Sequence, residues 1–158
     1  MTYKILPMCM RKARAGPARR LRGALAGTVT GEAMEEYDPL IAPDVGDWLD
    51  TDEGERIELV TAYHRRAKVK LPNVRLHATM HVAVENQVAM GDEVPVRRTF
   101  DRLQVVGLDR HEAIHAVGSV LAEHMYDLVN KRPPATDPNT LYWSALEKLT
   151  AKGWRRAR

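Results

Sequence analysis

The feature that most constrains the fold is a series of amphipathic segments with helical spacing, each bounded by helix-capping residues. The clearest segment runs from Asp109 to about Asn130. Its apolar residues recur every three or four positions: Ile114, Val117, Leu121, Met125 and Leu128. This spacing places one apolar stripe along a helix. Because Asp109 and Glu112 form an aspartate version of the capping box, we predict a long helix that begins here and packs through one face.

Four more segments have the same character, and no sustained alternating run of the strand type appears. They predict helices at about 52–66, 73–90, 95–106 and 137–153. Short connections between amphipathic helices imply antiparallel neighbours. The sequence therefore predicts an all-α fold, a small bundle of about four to five helices. Met80, Met90 and Met125 are expected to fill gaps in its core.

A chain of 158 residues has room for one well-buried core. Its first 33 residues differ from the rest in composition and charge. Residues 1–33 carry seven Lys or Arg against one acid and are rich in Ala and Gly. We expect a disordered basic extension, with Met34 as an alternative translation start; an organelle transit peptide is the other interpretation. We expect an extended lead-in at 34–50, the helical domain at 51–153 and a solvated basic tail at 154–158.

Charge and cysteine content exclude several classes of protein. The whole chain carries +3 and residues 1–33 carry +6, so the rest carries −3. A slightly acidic body has no broad basic surface, and nucleic acid is not expected as a partner. No apolar run approaches the roughly 18 residues of a membrane span. Cys9 is the only cysteine, which favours the cytoplasm and requires any metal site to use His, Asp or Glu.

Four of the six histidines form two pairs with helical spacing. His77 and His81 lie one turn apart, and Glu85 extends their ladder by a further turn. His111 and His115 form the second pair, and the helix dipole favours a neutral imidazole at His111 in the first turn. Two helices that each offer such a pair can build a metal site from facing side chains. The leading hypothesis is a divalent metal ion (Zn, Fe, Ni, Co or Mn) bound by these four histidines, with Glu85 as a ligand or orienting residue.

Two other interpretations stay open at this point. The histidines could form a metal-free core network in a protein-interaction module that binds a partner or a second copy of the chain. Residues 111–115 also fit H-E-x-x-H, in which Glu112 would be the catalytic base of a zinc-dependent hydrolase. The third ligand expected downstream is missing, because His124 does not lie at the metzincin spacing. His64 and His124 have no partner at metal spacing, so we expect them at the surface or at a helix edge.

Two stretches resemble a bacterial family known as domain of unknown function 1841. They are the run from Pro72 to Gln87, and residues 111–115 followed by a long helix and the turn at 132–134. The resemblance covers about Asp44 to Leu149 and implies a compact, helical, cytosolic protein without an established activity. Relatives carry a His-Pro-Glu-aromatic-His segment near the start of the first helix. We place the corresponding stretch at Asp52–Glu55, which has no histidine, so a site completed by that segment would be smaller or different here.

Overall fold

The computed structural model describes residues 34–130 and 137–157, and every regular element within them is helical. In chain order the elements are α1 (Val45–Asp50), α2 (Glu53–Arg66), α3 (Val74–Ala89), a 3₁₀ turn (Gly91–Glu93), α4 (Val96–Val105), α5 (Arg110–Asn130), α6 (Pro138–Lys148) and α7 (Ala151–Arg156). The all-α prediction is confirmed. Within these residues, no helix combines the length and the apolar character that crossing a membrane requires.

The long helices begin where the sequence supplies a side-chain cap. At the start of α2, the Asp52 carboxylate accepts a hydrogen bond from the Gly54 N–H at 2.8 Å. At the start of α5, the Glu112 N–H donates to Asp109 Oδ1 at 2.7 Å, and the Asp109 N–H donates to Glu112 Oε2 at 3.3 Å. This reciprocal pair is the capping box predicted from the sequence, and it occupies the Glu112 carboxylate at the helix end.

Helix α3 is the centre of the domain, because it packs against α1, α2, α4 and α5. The main core lies between α3, α4, α5 and the two C-terminal helices. Its larger members are Val84, Phe100, Leu103, Ile114, Val117, Leu146 and Trp154. Burying each such side chain contributes about 1.5–3 kcal/mol, so this core is the main source of stability. It fixes α3 and α5 side by side, which brings their two histidine pairs together.

Residues 34–50, expected as an extended lead-in, instead supply a second buried cluster. Trp48 of α1 is fully buried and packs with Tyr37, with Val60 of α2, and with residues of α3. The Trp48 indole N–H also donates to Asn86 Oδ1 at 2.8 Å. Helix α1 has only six residues and buries only one of them, so the sequence shows no helical period there. The segment is therefore part of the folded domain.

Several apolar side chains expected in the core are exposed. Met125 and Leu128 lie in the last two turns of α5, where they are 50% and 36% exposed. At 1.5 Å per residue, α5 is about 30 Å long whereas α4 is about 15 Å, so the end of α5 extends past α4. Met90, which follows the end of α3, is also exposed. The prediction that Met90 and Met125 fill the core is wrong.

The C-terminal residues are more ordered than a solvated tail. The helix predicted at 137–153 is two helices, and Thr150 caps the second by accepting a hydrogen bond from the Gly153 N–H at 3.0 Å. Trp154 is buried, and the Arg155 guanidinium donates to the Gly107 carbonyl at 2.7 Å. The predictions for residues 1–33 and for the turn at 132–134 lie outside the described residues.

Candidate metal centre

Four buried histidines from three helices converge on one point. His64 comes from α2, His77 and His81 come from α3, and His115 comes from α5. One ring nitrogen of each lies within 4.8 Å of the corresponding nitrogen of the other three. None of the four side chains is more than 5% exposed. Three of the four predicted histidine ligands, His77, His81 and His115, therefore meet at one point, and His64 takes the place that we expected for His111.

His64 is the residue that sequence reasoning missed. We expected it at the surface or at a helix edge, but it is completely buried within the cluster. The available signal was its place on α2, since His64 lies four residues after the buried Val60 and seven after Ile57 on the same helix face. A search for spacing between histidines does not find it, because its partners lie on other helices.

A backbone contact fixes the tautomer of His64. His64 Nδ1 lies 2.8 Å from the Val60 carbonyl oxygen, which can only accept a hydrogen bond. In the neutral ring Nδ1 therefore carries the proton, and Nε2 presents a lone pair. That lone pair points to His77 Nε2, at a distance of 3.1 Å. A histidine that is oriented by a carbonyl through one nitrogen and offers the other is typical of metal ligands.

The second close contact joins α3 to α5. His115 Nε2 lies 2.9 Å from His81 Nε2, and the His77 and His115 ring centroids are 5.1 Å apart. His111 lies beside this group, with its ring centroid 4.3 Å from that of His115 and 5.1 Å from that of His81. Its side chain is partly buried. His111 is thus a fifth imidazole at the edge of the four-histidine cluster.

Burial keeps these rings neutral. Loss of solvent lowers the pKa of His77 to about 3, with a smaller effect from the nearby His64 ring. Burial likewise lowers the pKa of His111 to about 3, followed by the effects of His64, His77 and Arg110. The pKa values of His64 and His81 are also lowered, again mainly by burial. Neutral imidazole is the form that binds a metal ion.

Glu85 lies one turn beyond His81, but its carboxylate is held by other groups. Arg110 donates to both Glu85 oxygens, at 2.7 and 2.6 Å, and the Tyr37 hydroxyl donates to Glu85 Oε1 at 2.8 Å. The two side chains of the ion pair are 1% and 8% exposed. Burial by itself lowers the pKa of Arg110. The hydrogen bonds to Glu85 and the negative charge of Glu85 more than offset that effect, so the pKa is raised above its ordinary value. The structure therefore places Glu85 in an ion pair next to the cluster.

The other predicted residues lie apart from the four-histidine cluster. Glu112 is partly exposed and takes part in the capping box of α5. His124 stacks on Tyr142, with ring centroids 5.3 Å apart, at the edge of α5. Tyr63 closes one side of the cluster, because its ring lies edge-on to His64 at 5.2 Å and to His111 at 5.9 Å.

Comparison with known protein families agrees with the resemblance seen in the sequence. The family model for Domain of unknown function (DUF1841) matches residues 58–148. The match begins at residue 58, so the stretch Asp52–Glu55, where we placed the histidine segment of relatives, lies outside it. Tyr63 and His64, an aromatic residue followed by a histidine, lie inside it. The searches of curated proteins and of solved structures gave no match. Because the match covers more than half of the chain, this protein belongs to the DUF1841 family, a family described as a domain of unknown function.

Proposed function

We propose that this domain binds one divalent transition-metal ion through His64, His77, His81 and His115. The observation that carries the proposal is the convergence of four buried imidazole nitrogens, all within 4.8 Å of one another. Each neutral ring has a lone pair that needs a hydrogen-bond donor or a metal ion, and one cation can serve all four. His111, at the edge of the cluster, is available as a further ligand or as a neighbour of the ion.

The distances agree with a single ion. Zn–N bonds of about 2.0–2.1 Å put two ligand nitrogens of a tetrahedral site about 3.4 Å apart, and no two ligands more than about 4.2 Å apart. The Nε2 atoms of His64 and His77 are separated by 3.1 Å, and those of His81 and His115 by 2.9 Å. All four nitrogens lie within 4.8 Å of one another, against a limit of about 4.2 Å, so binding of one ion requires the rings to move by a fraction of an ångström.

The chemistry of the donor atoms limits which metal ions fit the site. Imidazole suits Zn, Cu, Fe and Ni, whereas Mn and Mg favour carboxylate oxygen. The four converging donors are all imidazole, and Glu85 is bonded to Arg110 and Tyr37. Of the metals predicted from the sequence, Zn, Fe and Ni therefore fit the site better than Mn.

A metal-free network is the competing explanation, since both close Nε2 contacts have the length of hydrogen bonds. That network leaves His111 Nε2 buried without a hydrogen-bond partner among the described residues, at a cost of about 1–3 kcal/mol. A metal ion that takes His111 as a further ligand would use this nitrogen, which favours the metal site over the network.

Metal stoichiometry of matched variants tests the proposal. Full-length untagged protein is reconstituted with Zn²⁺ or Co²⁺ and dialysed at about pH 7, where the rings are neutral. We expect close to one ion per chain in the wild type and in His124→Gln, because His124 lies outside the cluster. His81→Gln and His64→Gln should retain a small fraction of that amount.

Circular dichroism of the same samples shows whether the variants are folded. If folded wild-type protein holds well under one ion per chain, the histidines form a metal-free network and the proposal is wrong. The same conclusion follows if His81→Gln and His124→Gln bind equal amounts of metal.

A further inference from the structure

The charged side chains that are buried in the domain are unbalanced before any metal is added. Among the described residues, three charged side chains are buried: Arg56, Glu85 and Arg110. They carry two positive charges and one negative charge. The buried interior of the domain therefore has a net charge of +1, and Glu85 is its only carboxylate in the described ranges.

That carboxylate is already neutralised. Both Glu85 oxygens accept hydrogen bonds from Arg110, and one also accepts from Tyr37. The second arginine, Arg56, donates to the uncharged amide oxygen of Asn86 at 2.8 Å, so it has no anionic partner there. No buried negative charge of the described residues is left to balance a cation at the histidines.

A divalent ion would add two positive charges to this surplus. All four converging ligands are neutral imidazoles, so they provide lone pairs but no compensating charge. Burying uncompensated charge is costly in a medium of low dielectric constant, and proteins avoid it by pairing the charge. No buried group of the described residues supplies the missing charge, whereas a bound anion would.

We propose that the metal-loaded site takes up a small inorganic or carboxylate anion as an additional ligand of the ion. This inference rests on the proposed metal binding and specifies the chemical class of the site's exogenous ligand. The anion must be small, because the four histidines are at most 5% exposed. Azide, thiocyanate and acetate are suitable probes of this class.

We place the anion at the His111 edge of the cluster. His111 is the most exposed of the five imidazoles, and its Nε2 atom has no hydrogen-bond partner among the described residues. It lies in the first turn of α5, where the helix dipole favours negative charge. The nearby Asp109 carboxylate is on the solvent side and accepts the Glu112 N–H, so it does not fill this role.

Cobalt spectroscopy of the full-length protein tests the inference. Co²⁺ bound by imidazoles gives visible d–d bands that change when a ligand is added. We expect azide or thiocyanate, added to the Co²⁺ protein in a poorly coordinating salt, to change these bands in a saturable way. By linkage, an anion at about 100 times its Kd should raise the apparent Co²⁺ affinity about 100-fold.

The outcomes separate this inference from the proposed function. Bands that form with Co²⁺ but stay unchanged up to about 100 mM of each anion, with constant Co²⁺ affinity, would overturn the anion ligand and leave metal binding intact. If no imidazole-type Co²⁺ spectrum forms, both proposals are wrong.

A size-matched pair of variants that differ in charge gives a second, independent test. His111→Glu supplies a built-in anion at the edge of the cluster, whereas His111→Gln is close in size and neutral. We expect His111→Glu to weaken azide binding by about tenfold or more, since one charge–charge contact at partial burial exceeds about 1.4 kcal/mol. His111→Gln should retain the azide response. Equal azide affinity in the two variants would show that charge balance does not drive anion binding.

Discussion

Lowering the pH from about 7 to about 5 should destabilise the metal-free protein by about 4 kcal/mol from two histidines alone. Burial lowers the pKa of His77 and of His111 from the usual 6.5 to about 3. In the unfolded chain both rings take up a proton near pH 6.5, but in the folded chain they stay neutral until about pH 3. These two rings therefore do not destabilise the folded protein above about pH 6.5, and their destabilising effect grows as the pH falls to about 3. Each ring contributes about 2 kcal/mol at pH 5, and total stabilities of about 5–15 kcal/mol make this a large effect.

Urea unfolding in the presence of a chelator measures this pH dependence. His77→Gln removes one of the two rings, so its free energy of unfolding should depend less steeply on pH than that of the wild type. His124→Gln should follow the wild type, because His124 lies outside the cluster. A wild-type free energy of unfolding that changes by less than about 1 kcal/mol between the two pH values would contradict the burial of neutral rings.

Breaking the Glu85–Arg110 ion pair from one side should cost about 3–5 kcal/mol. Both side chains are almost fully buried, at 1% and 8% exposure, and are joined by two hydrogen bonds. Arg110→Met leaves the Glu85 carboxylate buried with only the Tyr37 hydroxyl as partner, and Glu85→Leu leaves the guanidinium uncompensated. The double variant buries no charge at this position, so it should recover most of the loss. Chemical denaturation of the four proteins gives the coupling energy directly.

The exposed pair Arg97–Asp101 is a matched control within the same protein. It also joins an arginine to a carboxylate, at 3.1 Å, but both side chains are about half exposed. Arg97→Met should cost less than about 1 kcal/mol, because solvent screens a surface pair. Similar costs for Arg110→Met and Arg97→Met would show that burial of the Glu85 pair does not determine its strength.

Local sequence signals were sufficient to predict the longer helices. Side-chain caps such as Asp52 and the reciprocal pair of Asp109 and Glu112 begin helices where the sequence indicates. The stripe of α5 was correct for Ile114 and wrong for Met125, because periodicity shows which face is apolar but not how far the neighbouring helices extend. Helix α1 was missed, since six residues with one buried tryptophan carry no period.

The candidate site was predictable only in part, because spacing along the chain does not show which helices pack together. Spacing within one helix identifies His77 with His81, and His111 with His115, and tertiary packing then brings these rings together. His64 joins them from α2, and no spacing along the chain relates it to the others. The ion pair of Glu85 with Arg110 is likewise a contact between helices, so the sequence indicated a free carboxylate where the structure has a neutralised one.

The most direct test of the account is anomalous diffraction from zinc-loaded crystals, recorded at the zinc absorption edge. We expect one strong peak at about 2.0–2.1 Å from ring nitrogens of His64, His77, His81 and His115. No peak at this position, with the His64–His77 and His81–His115 contacts kept as hydrogen bonds, would contradict it.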